Sequence, residues 1–169
     1  MEDKVYKMYL KIDGVEGECR EALHQGWIEV EHYSYSFLRD YSVDAHGKPT
    51  YSPLSVSCRL DRATVELANL ISNEETIKEL VLSAWSMEDN SYEVFRLTLE
   101  NVQPMHLYMQ GGFGMEGSLV NYEFQGSRYI WQHWKQGENG EKGSETRSGW
   151  DYETGTVYPQ PEIKEGDKA

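Results

Sequence analysis

The chain has 169 residues and carries 29 acidic against 16 basic side chains, a net charge of −13. That balance argues against phosphate-rich partners, nucleic acid or anionic membrane, which need Lys and Arg to neutralise them. No run approaches the roughly 20 apolar residues of a membrane span, and the length suits one domain that buries its core without staples.

Tyr6, Met8, Leu10 and Ile12 alternate with Lys7, Tyr9 and Lys11, which predicts a first strand closed by Asp13-Gly14. The opening residues show no basic region followed by an apolar run, so no cleaved secretory signal is expected. Val15 to Gln25 has no period and reads as a loop. Trp27 to Phe37 reads as a second strand, with Ile28, Val30, His32, Ser34 and Ser36 on one face and Trp27, Glu29, Glu31, Tyr33 and Tyr35 on the other. Aromatics opposite small polar groups suit a surface that lines a channel or meets another subunit. They equally suit an ordinary amphipathic strand with a polar outer face. Leu38 to Pro53 reads as a stretch without regular structure, and stretches of that length are usually functional or mobile.

Leu54, Val56 and Cys58 open the segment around which the chain is organised. A helix is predicted over about 61–72, because Ala63, Leu67, Leu70 and Ile71 fall on one face. Asp61 suits its N-cap and Asn73 a left-handed exit. Leu80, Leu82 and Ala84, then Phe95, Leu97 and Leu99, alternate as two antiparallel strands joined by the polar turn Ser86 to Ser91. Gly111 to Gly117 lacks a phosphate-loop lysine and reads as a long turn. Val120, Tyr122 and Phe124 begin a further strand, continued or followed by Tyr129 to Trp134 with an irregularity at Gly126. Lys135 to Ser148 reads as a polar, glycine-rich connection, and Gly149 to Tyr152 as a short closing strand. Residues 1–158 then make a single domain of one helix and many strands, and 159–169 a disordered tail.

Little here can do chemistry. Cys19 and Cys58 fit neither a disulfide framework nor a zinc spacing and read as buried or half-buried thiols. His24, His32, His46, His106 and His133 show no metal-site spacing, and there is no nucleophile motif. No catalytic, cofactor-binding or metal residue is therefore expected, and no cofactor. A carboxylate pair for glycoside hydrolysis is uninformative among so many acids. Five Trp and twelve Tyr leave room for a monomeric carbohydrate-binding β-sandwich.

Four stretches, in order and spacing, resemble one family. Met8 to Glu18 (MYLKIDGVEGE) is similar to its opening strand and loop, and His24 to Ser36 (HQGWIEVEHYSYS) to its second strand. The strand–helix–strand from Leu54 to Leu99 matches in order, and Gly149 to Thr154 (GWDYET) resembles the closing strand. The family is the haemolysin-coregulated protein (Hcp) family, the tube subunits of type VI secretion systems. Leu38 to Pro53, Gly111 to Gly117 and Lys135 to Ser148 do not match it closely.

The resemblance implies a mainly β fold, a small β-barrel of two antiparallel sheets with one helix alongside. It implies a homohexameric ring without catalysis, stacked head to tail into a hollow tube. Its partners would be a contractile sheath, a spike protein at the tip and small effector proteins in the lumen, with no nucleic acid and no membrane. The chain would be cytoplasmic until fired, then secreted by the type VI machine. Ser34 and Ser36 would border the lumen, and Tyr41, Asp44, His46, Lys48, Phe113 and Met115 would sit in ring-stacking loops. A phage-type tail-tube protein, with DNA as passenger, is the remaining alternative.

Overall fold

In a computed structural model that describes residues 6–44, 46–88, 90–114 and 117–159, the chain begins with β1 (Tyr6–Ile12), β2 (Ile28–Ser34), β3 (Phe37–Asp40), β4 (Lys48–Tyr51) and β5 (Leu54–Arg59). It continues with α1 (Arg62–Ser72), β6 (Ile77–Ser86), β7 (Tyr92–Gln110), β8 (Leu119–Gln136), β9 (Lys142–Asp151) and β10 (Thr156–Val157). Six strands close an antiparallel barrel in the order β5–β2–β1–β6–β7–β8, with β8 returning to β5. The expected fold class is therefore what the chain adopts.

Period-two alternation builds the barrel. Leu10 and Ile12, Leu80 and Leu82, Leu97 and Leu99, and Val120, Tyr122 and Phe124 all point inward and join one core. Each large apolar side chain buried there contributes about 1.5–3 kcal/mol. The helix adds Ala63 and Leu67 to the same core. Its N-cap is Asp61, whose Oδ1 accepts from the Ala63 amide at 2.8 Å while the Asp61 amide donates to Thr64 Oγ1 at 3.3 Å.

Six details differ from the sequence reading. Asn73 has φ −91°, and the left-handed residue is Glu74 at φ 56°. The next amide, Glu75, then reaches back to the Leu70 carbonyl at 2.9 Å, so the helix closes one residue later than expected. Trp27 to Phe37 is not one strand, since β2 stops at Ser34 and Phe37 begins β3. A bulge between Val30 and His32 also reverses the faces: Ile28 and Val30 are buried, but beyond the bulge Tyr33 pairs with buried Val56. His32 and Ser34 thus fall on the outer face, because one extra residue shifts the alternation by a step.

Leu38 to Pro53 holds most of the β3–β4 hairpin rather than irregular chain. Its strands are four residues long and mostly exposed, so they leave no period to read. Phe37 and Tyr51 lay the hairpin on Tyr129 and Trp131 of β8. β8 runs unbroken through Gly126, and the irregularity falls opposite, in β7 between Pro104 and His106. Finally, Lys142 to Ser148 is strand, so Gly149 to Asp151 ends β9 rather than standing alone. Of the tail, residues 160–169 lie outside the described residues.

Candidate functional site

The first half of β8 (Leu119 to Phe124) pairs with β5, and its second half (Arg128 to Gln136) pairs with β9. This fork leaves a four-stranded face made of β2 beyond its bulge, β5, the first half of β8 and the last part of β7. Outward residues on it line up in rows. Ser34 stands beside Ser55, Ser55 beside Glu123, and Glu123 beside His106. In the next row His32 stands beside Ser57, then Asn121, then Tyr108. Small hydroxyl and amide side chains fill the middle, and Ser57 Oγ donates to Asn121 Oδ1.

Charge is sparse and paired here. Arg59 Nε lies 2.6 Å from Glu31 Oε1 at one end, and His106 Nδ1 lies 3.8 Å from Glu123 Oε2 at the other. In a chain of net charge −13 this is a nearly neutral surface able to hydrogen-bond. No nucleophile is poised on it, because Cys58 points into the core and burial pushes its thiol up to about 12. Among the described residues no group of three or more His, Cys, Asp or Glu could hold a metal ion within one chain.

Both lateral edges of this face are open. Among the described residues, His32 to Ser34 of β2 pair only with β5, and Gln103 to Gln110 of β7 only with β8. Where β1 and β2 part, after pairing only between Met8–Leu10 and Ile28–Val30, a recess of about 740 Å³ opens between Tyr6, Lys7 and Glu31.

Ser34 lies within the small-polar stripe. Ser36 does not: it follows the end of β2, where its amide donates to Ser52 Oγ at 2.9 Å and its carbonyl accepts from Ser52 at 2.8 Å. It pins the base of the β3–β4 hairpin. Tyr41, Asp44 and His46 form the exposed tip of that hairpin, and Lys48 stands opposite Asp40 at its neck. The Arg39 guanidinium lies 5.1 Å over the Tyr41 ring. Phe113 is fully exposed in the turn between β7 and β8, and Met115 lies outside the described residues.

The two tips are at opposite ends. Arg59 of β5 reaches Leu119 beside the β7–β8 turn, whereas Leu54 leads back to the hairpin, which packs farther along β8. Ser55, Ser57, Asn121, Glu123 and His106 escaped the sequence reading. Their signal was the polar half of two alternations, Ser55/Ser57 against Leu54/Val56 and Asn121/Glu123 against Val120/Tyr122.

A family model described as "Type VI secretion system effector, Hcp" matches residues 9–133. Among solved structures, the chain is similar to Hcp1 from Salmonella typhimurium at TM-score 0.80 and 20% identity, covering 90% of this chain and 98% of that one. It is similar to a type six secretion system protein at TM-score 0.84 and 22% identity, covering 90% and 99%. A type VI secretion system effector from Yersinia pestis aligns at TM-score 0.70 and 17% identity, covering 85% and 98%. No curated protein matches in sequence.

Proposed function

We propose, from the premise that this chain belongs to the Hcp family of type VI secretion, that it forms six-membered rings which stack head to tail and hold small effector proteins in their lumen. The family is a structural one, the tube protein of the secretion system, and not an enzyme family. The observation that carries the ring is the pair of open edges on the four-stranded polar face. β2, β5, β8 and β7 alternate in direction, so the β7 edge of one copy meets the β2 edge of the next antiparallel. A heterologous contact of that kind closes into a ring when its rotation divides the circle, and it removes two strand edges that would otherwise invite aggregation. The face it wraps inward is the small-polar one, which gives cargo hydrogen bonds without a strong field.

The loop residues support stacking. Tyr41 is 73% exposed at one end, and Phe113 is bare at the other, so one ring offers an aromatic knob to each neighbour. The spike and the contractile sheath are the further partners this reading implies. So is assembly in the cytoplasm before export. Six copies at −13 each carry −78, so ring formation should depend on ionic strength.

Size-exclusion chromatography with light scattering tests the ring: a mass about six times 19.6 kDa, with annular particles by electron microscopy, is expected. A monomer at high concentration overturns the proposal, and would favour the carbohydrate-binding alternative if oligosaccharides then altered its tryptophan fluorescence. Ser34→Gln should lower cargo retention while rings still form. Unchanged retention would remove Ser34 from the lumen.

A further inference from the structure

The geometry points to a socket for one arginine side chain of a partner protein, built where β8 forks. The inference stands apart from the ring proposed above. Gln125, Gly126 and Ser127 lie between the part of β8 that pairs with β5 and the part that pairs with β9. Over them opens a cavity of about 250 Å³, lined also by Asn101 and Gln103 of β7, Tyr51 of the hairpin, and Tyr152 and Glu153 of the turn after β9. It is smaller than the roughly 300 Å³ at which small-molecule pockets begin, and suits a single side chain. The turn is held in place: Asp151 Oδ1 accepts from the Glu153 and Thr154 amides at 2.9 and 3.1 Å, and the Tyr152 amide donates to the Ser127 carbonyl at 2.8 Å.

The groups left over in this cavity are mostly acceptors. Asn101 Nδ2 donates to Ser127 Oγ at 2.9 Å and to Glu153 Oε1 at 3.3 Å, and the Ser127 hydroxyl donates to the Asn101 carbonyl at 3.3 Å. Gln125 Nε2 donates to the Tyr129 hydroxyl at 2.7 Å and to the Gly126 carbonyl at 3.3 Å. A carboxylate and a carbonyl can only accept, so nitrogen faces them, which leaves Asn101 Oδ1, Gln125 Oε1 and Glu153 Oε2 unspent. Only Gln103 and the two phenols can still donate. No cation lines the cavity, and among the described residues Glu153 has no ion pair. Tyr51 and Tyr152 meet edge to face at 5.2 Å, and Tyr152 is 43% exposed, so a ring is left for a cation to lie against. A guanidinium is all donor, planar and weakly hydrated. It answers the acceptors, the carboxylate and the phenol together, where a sugar hydroxyl would also ask for donors. The net charge of −13 draws the same kind of ligand. A second copy has little to supply, since every arginine but Arg20 already meets a group of its own chain.

Saturation-transfer NMR on the untagged protein tests the socket, with the blocked tripeptides Gly-Arg-Gly and Gly-citrulline-Gly, which share a shape and differ in charge. The arginine methylenes should take up saturation, and the arginine peptide should bind about tenfold more tightly than the citrulline one. Glu153→Gln, an exposed and isosteric change, should remove that preference. Tyr152→Leu should weaken the arginine peptide about fivefold, and both variants should keep the wild-type far-ultraviolet dichroism. Equal binding of the two peptides, transfer to neither, or a preference that survives Glu153→Gln overturns the site. Transfer to methyl α-glucoside that Tyr152→Leu abolishes would make it a sugar site, and self-association that Arg20→Ala abolishes would make the occupant a second copy; either overturns the assignment.

Discussion

Gly126 presses its α-carbon against Leu99: a Cβ added there would stand 3.0 Å from Leu99 Cβ and 3.1 Å from its Cγ. Gly126 pairs with Val102 at the place where β8 leaves β5 and takes up β9. The fork therefore needs a residue without a side chain, in a stretch whose φ angle asks for nothing unusual. Gly126→Val should cost about 1–3 kcal/mol through overpacking, read as a lower urea midpoint. Leu99 is fully buried, so Leu99→Ala alone should cost about 2–5 kcal/mol. The double variant should lose less than the two combined, by at least about 0.5 kcal/mol; strict additivity would mean that the two residues do not share the space.

Alkali should unfold the barrel through its buried phenols and thiol. Burial pushes Tyr122 and Tyr129 up to about 12 from an ordinary 10.0, and Cys58 up to about 12 from 9.0. A raised folded value leaves stability whole below the unfolded value. Stability should hold to about pH 9, then fall as the unfolded chain releases first the thiol and then the phenols, and level off near 12. Each pKa unit of separation is worth about 1.4 kcal/mol. Urea midpoints at pH 8 and 10.5 measure the slope. Tyr122→Phe should flatten it, yet cost about 1 kcal/mol at pH 7, since the buried Thr64 hydroxyl, now 2.5 Å from Tyr122, keeps only the longer bond from the Asp61 amide.

The barrel was legible because its inward residues keep strict period two, from Leu10 and Ile12 to Val120, Tyr122 and Phe124. The helix was legible because one stripe and a cap agree. What escaped was set by register. The bulge at Val30/His32 moves Ser34 to the other face, and neither residue announces it. β9 from Lys142 to Ser148 is held to β8 mainly by backbone pairing, and its exposed polar side chains carry no apolar period. The polar face itself joins strands far apart in the chain. Only the pairing of β5 with β8 sets Ser57 beside Asn121.

Acid should loosen the loop between β1 and β2 before it opens the barrel. His24 stacks on Tyr9 at 3.9 Å and meets the edges of Trp27 and Trp85, and its Nδ1 lies 2.6 Å from Glu21. The hydrogen bond to His24 holds the Glu21 carboxyl below its ordinary 4.5. A depressed carboxylate stabilises above that ordinary value and loses the contribution as pH falls through the folded one. Below pH 4.5 tryptophan emission should change while far-ultraviolet dichroism holds. Glu21→Gln should abolish this early transition, and a coincident loss of both signals in the wild type would place the contact inside the global unfolding unit.

Stacking should fail without harm to folding when Phe113 is charged. Its side chain is fully exposed and touches no part of the core, so Phe113→Glu should leave the urea midpoint within about 0.5 kcal/mol of the wild type. If rings meet through this turn and the opposite hairpin tip, a carboxylate there has to be desolvated against an acidic neighbour, a placement that repels. Single annuli of unchanged mass, with tubes lost in sedimentation and electron microscopy, are the expected result. Tyr41→Glu at the other end should produce the same phenotype, because each copy presents both ends of one contact. Tubes that persist in both variants would move the stacking surface elsewhere on the two rims.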